Sequence, residues 1–447
     1  MQTLNDAASL EHYGQDWTRF WPPAPSKIVF PETIDDIVEL VLEARKGGHA
    51  LVPSGGRTGL SGGAVATNGE IVVSMDRMRA ILEFEPAEPS IRVQGGLPVG
   101  TLQAAASERG LYYPVDWAAA DSSQVGGSIA TNAGGIRVLR YGMTRDWVRG
   151  LKVVTGTGDV LDLNRGLLKN NTGLDLRQLM IGSEGTLGII AEATLGLLPE
   201  PEASSVLLLG FADLDALMPA LSCLRDQLKL SAFEFFDCAS IDHVVRATGQ
   251  TFPLDRDACE YFAVIEFDDP NGRQQDAALA VFEQLMEAGY VLDGTLSQSG
   301  SQAAELWSWR EAISESIAYR TPYKNDLSVR VSRVPEFLKQ LDDLVAKRYP
   351  DFEVVWFGHI GDGNLHMNVL CPTDWSIEDF HAAGKRLSPA VFELVHAHGG
   401  SISAEHGVGL LKRDDLHWSR SPGEIALMRS IKRQFDPDGI LNPGKVF

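Results

Sequence analysis

An Asp-Gly pair between two apolar runs is the strongest local constraint on how this chain folds. Residues 354–369 read VVWFGHIGDGNLHMNV, and Asp-Gly between β-branched or aromatic residues is a strong signal for a β-hairpin. If Asp362 and Gly363 are the two central turn residues, His359 lies opposite His366. Directly opposite residues have Cβ atoms roughly 4.5–5.5 Å apart. The pattern therefore predicts two imidazoles close enough to share a metal ion.

A second segment, SISAEHGVGLLKR at 401–413, supplies candidate partners for these histidines. It carries Glu405 and His406 in a glycine-flanked loop. Two histidines and one carboxylate, with a position left open, are typical of a catalytic zinc-type site. Asn368 falls on the same strand face as His366, because side chains alternate along a strand. The residues alone leave a second interpretation open, in which both histidines are hydrogen-bonded structural residues.

Length and charge bound the class of protein. The chain has 447 residues, 44% of them hydrophobic and 22% charged, which predicts a soluble globular protein of two or three domains. A net charge of −21 argues against nucleic acid or an anionic membrane as a partner. The 4 cysteines are scattered, which indicates reduced thiols. No secretory signal or membrane-spanning run is evident, so a cytoplasmic location is expected.

The order of patterns predicts an α+β protein. Short β-rich runs alternate with helical patterns and dense glycine over 27–200, which predicts a first domain at 1–200. Pro199 and Pro201 mark the boundary. VLLLGF, SAFEFFD and YFAVIEFD alternate with helical patterns in a second α+β domain, expected at 201–375. The remaining residues, 376–447, are expected to form a mostly helical C-terminal part.

Two glycine-rich segments are the strongest ligand-binding candidates. They read PSGGRTGLSGGA at 53–64 and SSQVGGSIATNAGG at 122–135. Successive N–H groups in such loops form anion-binding concavities, and glycine lets the backbone approach a ligand closely. Because the chain is so acidic, a diphosphate held by backbone donors is the expected ligand. The alternative is that both segments are only tight turns between strands.

Two other motifs are rejected on context. TGTGDV at 155–160 lacks the third glycine of a dinucleotide fingerprint and leads into another strand. Gly59–Gly63 matches G-x-S-x-G, but no helical pattern follows the serine as a nucleophile elbow requires. A serine hydrolase is therefore a weak alternative.

Together these motifs resemble a known family. The two glycine-rich segments, Tyr141-Gly142, GSEGTLGII (182–190), GHIGDGNLH, AEHGVG and DPDGILNPGK look like the FAD-linked D-2-hydroxyacid dehydrogenases. These belong to the vanillyl-alcohol oxidase superfamily, and the likeness covers nearly the whole chain in the right order. It implies a vanillyl-alcohol-oxidase-type FAD-binding domain, a substrate domain, and a C-terminal part that returns to the flavin.

The resemblance also implies which residues hold FAD. Arg57 and Thr58 stand where covalent members of the superfamily often have a histidine, so non-covalent FAD is expected. Asn442 is expected near the isoalloxazine ring and the residues around Glu184 near the adenosine part. The full implied set is Ser54, Gly55, Gly56, Arg57, Thr58, Gly59, Gly62, Gly126, Gly127, Ser128, Thr131, Asn132, Gly134, Gly135, Tyr141, Glu184, Gly185, Thr186, Gly188, Ile190 and Asn442.

Metal and substrate residues follow from the same resemblance. A divalent metal, expected to be zinc, maps onto His359, His366 and Glu405. Arg310 in LWSWREAISESI is expected to clamp the substrate carboxylate, since guanidinium geometry suits that anion. His406 is the expected general base. Ser314, Lys324 and Asn368 are expected to contact the substrate. Many relatives have Thr where Ser314 stands and an aromatic residue in place of Asn325, which leaves the pocket shape open.

The expected reaction is hydride transfer from Cα of a D-2-hydroxy acid to flavin N5. Arg310, Lys324 and Arg330 favour D-2-hydroxyglutarate, since a second carboxylate needs a second cation. D-lactate or another D-2-hydroxy acid is the alternative. A flavin-binding subunit without chemistry and a metallohydrolase without flavin are rivals from other classes. An electron-transfer flavoprotein or a quinone is the expected electron acceptor, and the oligomeric state is left open, with a homodimer as one option.

Overall fold

The computed structural model describes residues 1–447, apart from the side chain of Asn271. The chain divides into two compact units. Unit 1 comprises Met1–Gly135, Gly142–Pro201 and Glu405–Phe447, and unit 2 comprises Ile136–Tyr141 and Glu202–Ala404. A C-terminal part was expected from residue 376, whereas unit 2 extends to Ala404. The short excursion Ile136–Tyr141 into unit 2 had no sequence signal.

The strands and helices are as follows. The strands are β1 Gln2–Leu4, β2 Lys27–Phe30, β3 Leu51–Ser54, β4 Ile71–Ser74, β5 Ile81–Glu85, β6 Ser90–Gln94, β7 Leu111–Tyr112, β8 Val148–Thr155, β9 Val160–Leu163, β10 Gly188–Gly196, β11 Leu198–Pro199, β12 Ser204–Phe211, β13 Leu230–Asp237, β14 Tyr261–Asp268, β15 Asp293–Leu296, β16 Tyr323–Ser328, β17 Glu353–Gly358 and β18 Asn364–Leu370. The α-helices are α1 Ala7–Tyr13, α2 Ile34–Gly47, α3 Val99–Ser107, α4 Val125–Thr131, α5 Val138–Tyr141, α6 Thr144–Trp147, α7 Arg177–Met180, α8 Leu217–Gln227, α9 Cys238–Thr248, α10 Gln275–Glu287, α11 Gly300–Glu311, α12 Ile313–Ser316, α13 Val334–Arg348, α14 Ile377–Ala397 and α15 Pro422–Phe435.

Unit 1 is built on two main sheets. The first has the order β1-β2-β4-β3, and β4 lies parallel to both β2 and β3. All four residues of β4 are buried, as a continuous apolar run in a parallel sheet predicts. The second sheet, β5-β6-β10-β8-β9, is antiparallel. Helix α2 begins at a capping box between Thr33 and Asp36 and ends at Gly48 with φ of 65°.

Unit 2 is built on one antiparallel sheet of seven strands. The order is β15-β12-β14-β13-β17-β18-β16. Phe236 of β13 lies opposite Phe357 of β17, and both belong to a core that also contains Ile241 and Trp309. Helices α9 and α11 therefore cover the sheet face that carries Phe236 and Phe357. This face also carries the polar residues described below.

The hairpin predicted around Asp362-Gly363 is present, but its predicted register is wrong. Phe357, and not His359, lies opposite His366. The turn is longer than two residues, because the carbonyl of His359 accepts from the N–H groups of both Asp362 (3.1 Å) and Asn364 (3.2 Å). Gly363 has φ of +85°, which favours glycine. A shift of two positions preserves the strand face, so the two imidazoles still meet.

Two further features bear on the rejected motifs and on membranes. TGTGDV connects β8 to β9 in an antiparallel pair, so no helix follows it and the dinucleotide motif is absent there. No helix follows Ser61 before β4 either. None of the described helices combines the length and apolar character needed to cross a membrane.

Candidate functional site

Polar side chains gather on one face of the unit 2 sheet. Asp326 of β16 and Phe357 of β17 flank His366 of β18 from either side. Lys324 lies opposite Asn368 in the same way, so these side chains share one face. The Asn368 amide nitrogen donates to the carbonyls of His366 (3.2 Å) and Val355 (3.4 Å), which fixes its orientation.

The two predicted histidine ligands lie together at the closed end of the hairpin. The ring centroids of His359 and His366 are 5.3 Å apart, with the rings at 85° to each other. His359 is 7% exposed and His366 is 8% exposed. Buried imidazoles need partners for their ring nitrogens, and both have a carboxylate nearby.

Glu234 in β13 contacts both His359 and Arg310. Its Oε1 lies 2.7 Å from His359 Nδ1, and its Oε2 lies 2.9 Å from Arg310 Nη2. The second contact is an ion pair without the alignment of a hydrogen bond. Glu234 is only 1% exposed. It is the central residue that the sequence analysis missed.

Asp326 holds a similar place beside the second histidine. Its Oδ1 lies 3.9 Å from His366 Nδ1 and accepts a hydrogen bond of 2.8 Å from Asn364 Nδ2. Asp326 is 1% exposed. It is not among the residues predicted for the site. Each histidine therefore has its own buried carboxylate, supplied by the strands on either side of the hairpin.

The predicted substrate residues differ in burial. Arg310 is 8% exposed, and its guanidinium carbon lies 4.6 Å from the ring centroid of Phe357. Its buried Nε has no partner within the described part of the chain. Ser314 is exposed in α12. The side chain of Lys324 is exposed overall, yet its amine is partly desolvated, which lowers the pKa of Lys324.

In unit 1, the two glycine-rich segments touch each other. A Cβ on Gly56 would lie 1.9 Å from the Ser122 carbonyl oxygen, so only glycine permits this approach. Thr58 Oγ1 and Ser123 Oγ are 2.9 Å apart. Arg57 has φ of 60° and its guanidinium lies 4.6 Å from the Tyr13 ring centroid. The two segments are therefore in direct contact with each other.

The second segment forms the short helix α4 and the turn after it. Helix α4 ends at Asn132, which has φ of 51° and whose Oδ1 accepts from the Arg145 N–H at 2.9 Å. A Cβ on Gly135, which has φ of +151°, would lie 1.9 Å from the Asp116 carbonyl oxygen. A Cβ on Gly127 would meet nothing within 4 Å. Gly127 therefore borders open space, whereas Gly135 is packed against protein.

These surroundings fit a nucleotide cofactor. Ser54 Oγ and Gln124 Oε1 are buried and have no hydrogen-bond partner among the described residues. A Cβ on Gly55 would lie 3.4 Å from Gln124 Oε1, so the two atoms border the same loop. Buried polar atoms without partners are costly unless a ligand or water satisfies them. Backbone N–H groups and open space beside Gly127 suit the phosphates of FAD.

Glu184 anchors the loop that carries Glu405 and His406. Its carboxylate accepts backbone hydrogen bonds of 2.8 Å from Val408 and 2.8 Å from Gly409. Burial raises the pKa of Glu184, against the opposing effect of these two donors. Glu405 Oε1 and His406 Nε2 are 3.8 Å apart, and both side chains are half-buried.

Asn442 joins the C-terminal turn to the first glycine-rich segment and to the GSEGTLGII segment. Its Nδ2 donates to the carbonyls of Gly63 (2.9 Å) and Glu184 (2.7 Å). Lys445 Nζ donates to Asn442 Oδ1 at 2.6 Å, and burial lowers the pKa of Lys445 to about 8. Gly188 and Ile190 lie in β10, whereas Tyr141 belongs to unit 2.

Comparisons with known proteins agree with this geometry. Residues 200–446 match the family described as FAD linked oxidases, C-terminal domain, and residues 25–164 match an FAD binding domain. The chain belongs to the FAD-linked oxidase family. It is 53% identical over 446 residues to D-2-hydroxyglutarate dehydrogenase of Stutzerimonas stutzeri (strain A1501), covering 100% of this chain and 96% of that protein. It is 52% identical to the protein of the same name from Xanthomonas citri pv. viticola, covering 100% and 94%.

A solved structure supports the fold of this FAD-linked oxidase. An alkyldihydroxyacetonephosphate synthase superposes with a TM-score of 0.75 and 19% identity, covering 99% of this chain and 83% of that one. At this identity the likeness concerns the fold alone. It confirms the predicted α+β architecture with a vanillyl-alcohol-oxidase-type FAD-binding fold, and the family match confirms the prediction of an FAD-dependent oxidoreductase.

The sequence carries a signal for Glu234 as a functional residue. Glu234 is the one charged residue inside the apolar run of SAFEFF, and every residue of β13 is buried. Charged residues are rarely buried unless they are paired. A lone acid in a strand that reads as fully buried therefore indicates a paired role. Its partners, His359 and Arg310, lie too far along the chain to be found by local patterns.

Proposed function

We propose that this chain is an FAD-dependent dehydrogenase that oxidises D-2-hydroxyglutarate to 2-oxoglutarate. The observation that carries the proposal is the 53% identity, over the full chain, to a protein named D-2-hydroxyglutarate dehydrogenase. The buried group of Glu234, His359 and Arg310 supports it, because it combines an anion-binding guanidinium with an imidazole around one carboxylate. FAD, held non-covalently by the glycine-rich segments of unit 1, would supply the acceptor for the hydride from Cα of the substrate.

The substrate carboxylate is assigned to Arg310. Stacking on Phe357 and contact with Glu234 restrict the guanidinium, while its buried Nε keeps a donor for another acceptor. Lys324 is assigned to the second carboxylate of a diacid. Because desolvation lowers the pKa of its amine, an added carboxylate would favour the charged form. Ser314 and Asn368 are assigned to substrate positioning.

The metal ligands are assigned to His359, His366 and Glu405, and the general base to His406. These assignments rest on the family resemblance and on the pairing of His359 with His366 at 5.3 Å. Imidazole and carboxylate ligands suit zinc, among other divalent ions. A metal ion held by these residues would supply Lewis-acid chemistry that lowers the pKa of the substrate hydroxyl. His406 is placed to accept the hydroxyl proton as general base.

Comparison of two acids tests the substrate. The kcat/KM for D-2-hydroxyglutarate should exceed that for D-lactate, since only the diacid uses Lys324. Replacing Lys324 with Met should lower kcat/KM for D-2-hydroxyglutarate and leave that for D-lactate nearly unchanged. A preference for D-lactate in the unmodified protein would refute the proposed substrate. We further propose a cytoplasmic location and an electron-transfer flavoprotein or quinone as electron acceptor.

A further inference from the structure

We propose that Glu234 is a positioning residue that holds the metal-binding imidazole of His359 and the substrate-binding guanidinium of Arg310 in one arrangement. The inference rests on the proposed function, because it takes His359 as a metal ligand and Arg310 as the carboxylate clamp. It adds a residue from a third element, β13, to the histidine hairpin and to the arginine of α11.

The geometry gives each carboxylate oxygen one partner. Oε1 lies 2.7 Å from His359 Nδ1, and Oε2 lies 2.9 Å from Arg310 Nη2. Glu234 is 1% exposed, so water cannot replace either partner. Burying a charge is costly unless it is paired. If either His359 or Arg310 moved away, the buried carboxylate of Glu234 would keep only one of these two partners.

The contact with His359 fixes the state of the imidazole. A carboxylate accepts and cannot donate, so Nδ1 of His359 carries the hydrogen. In the neutral ring Nε2 then has the lone pair that a metal ion requires. Carboxylate partners of metal-binding histidines set the tautomer and ring orientation in this way, and their loss commonly weakens metal affinity about 10–100-fold.

The contact with Arg310 fixes the guanidinium. Nη2 is held by Glu234 and the plane lies on Phe357, at 4.6 Å from the ring centroid. The side chain therefore cannot rotate to offer Nη2 elsewhere without leaving Glu234. The unpartnered Nε is left for the substrate carboxylate. A single glutamate thus sets the relation between the metal ion and the substrate anion.

The second histidine differs in this respect. His366 Nδ1 lies 3.9 Å from Asp326 Oδ1, beyond hydrogen-bond distance. Asp326 accepts a 2.8 Å hydrogen bond from Asn364 Nδ2. On the Glu234 side of the hairpin, one carboxylate contacts both a metal-binding imidazole and a substrate-binding cation.

Glu234→Gln tests the inference because glutamine has the same shape and one acceptor fewer. If its amide oxygen accepts from His359, its amide nitrogen faces the guanidinium of Arg310, and donor then meets donor. The reverse orientation places the amide nitrogen against the N–H of His359, so glutamine cannot satisfy both partners. Zinc titrated into the metal-free, FAD-loaded protein should bind about 10–100-fold more weakly. In the zinc-saturated variant, KM for D-2-hydroxyglutarate should rise by about tenfold or more. One substitution is thus expected to change both the zinc affinity and the KM for the substrate.

Glu266→Gln is the matched control. Glu266 lies on the neighbouring strand β14, is 5% exposed and pairs with Arg137 (2.9 Å), Ser231 and Trp307. It has no contact with His359 or Arg310 among its hydrogen bonds. The control should lose a buried acid–arginine pair with unchanged zinc affinity and KM. Equal losses of zinc affinity in both variants would show a general folding effect and overturn the inference.

A measurement on the unmodified protein covers the case in which Glu234→Gln does not fold. Selective ¹⁵N labelling of histidine reports which ring nitrogen carries the hydrogen. His359 should be protonated at Nδ1 in the metal-free protein, and the Nε2-protonated tautomer would overturn the inference. Neither zinc affinity nor the tautomer depends on which acid is oxidised. A failure of the proposed substrate can therefore be distinguished from a failure of this inference.

Discussion

The carboxylate of Glu184 accepts a 2.8 Å hydrogen bond from the backbone N–H of Gly409. The other carboxylate oxygen accepts from the N–H of Val408, and the backbone carbonyl of Glu184 accepts from Asn442 Nδ2. The GSEGTLGII segment and the AEHGVG segment are therefore joined by a buried carboxylate within unit 1. The predicted cofactor residue Glu184 thus also fixes the backbone that carries Glu405 and His406.

Glu184→Gln should loosen the loop that carries Glu405. Glutamine keeps one acceptor and presents an amide N–H to the second backbone donor, which costs about 1–3 kcal/mol. Hydrogen exchange at the amides of Val408 and Gly409 should accelerate by about tenfold or more. The control is Glu192→Gln on β10, which removes a carboxylate paired with Arg92 and Lys152. It should leave the exchange rates of the Val408 and Gly409 amides unchanged. Unchanged exchange in Glu184→Gln would contradict the anchoring role.

Two glycines should respond differently to alanine. Gly56→Ala puts a Cβ 1.9 Å from the Ser122 carbonyl oxygen, so the protein itself should be destabilised. Gly127→Ala meets nothing within 4 Å in the protein and lies in α4, where alanine favours the helix by about 1 kcal/mol. Gly127→Ala should therefore fold normally but bind FAD more weakly. Thermal unfolding and flavin titration of the FAD-free proteins separate the two effects, and unchanged FAD affinity in Gly127→Ala would remove α4 from the cofactor site.

His366→Ala should separate flavin binding from turnover. The imidazole lies in unit 2 and FAD is assigned to unit 1, so the variant should keep its flavin. Loss of one of three metal ligands should abolish zinc retention and lower kcat by about 100-fold or more. His417→Ala, at an exposed histidine whose Nδ1 lies near the Asp414 carbonyl, is the control. Full activity in His366→Ala would remove the metal from the proposed mechanism.

Asp237 should contribute a pH-dependent term to stability. Burial raises its pKa from 3.8 to about 6, although Ser240 and Trp356 donate to it. A raised folded-state pKa means that the contribution is complete below pH 3.8 and is lost as the pH rises through 6. The free energy of unfolding should fall by about 3 kcal/mol over this window relative to Asp237→Asn. Denaturant titrations at pH 4 and pH 7 measure the free energy of unfolding of both proteins. An equal change between the two pH values in the unmodified protein and in Asp237→Asn would contradict the raised pKa.

The sequence predicted the strand face of the histidine hairpin but not its register. Side chains alternate with a period of two along a strand, so Phe357 and His359 lie on the same side. Both imidazoles are therefore on the predicted side, although Phe357 is the residue opposite His366. The register depended on the hydrogen bonds of a longer turn, which Asp-Gly alone does not specify. The local pattern therefore predicted that the two histidines lie together, whereas the backbone pairing required the tertiary structure.

The partners of the predicted residues were beyond the reach of local patterns. Glu234 and His359 are brought together by the order of strands in the unit 2 sheet, and that order is set by packing across the whole sheet. The same holds for Glu184 and Gly409, which are joined through loops of unit 1. Motifs predicted which residues carry the chemistry, whereas the pairing of His359 with Glu234 and of Gly409 with Glu184 emerged from the tertiary structure.

Anaerobic titration of the purified protein with D-2-hydroxyglutarate tests the central claim most directly. The visible flavin band should bleach as the acid is added, because hydride transfer reduces bound FAD. Bleaching would establish the flavin, the chemistry and the substrate in one experiment. A flavin band that stays oxidised with this acid but bleaches with D-lactate would contradict the proposed substrate, and a band that stays oxidised with both would contradict the proposed dehydrogenase activity.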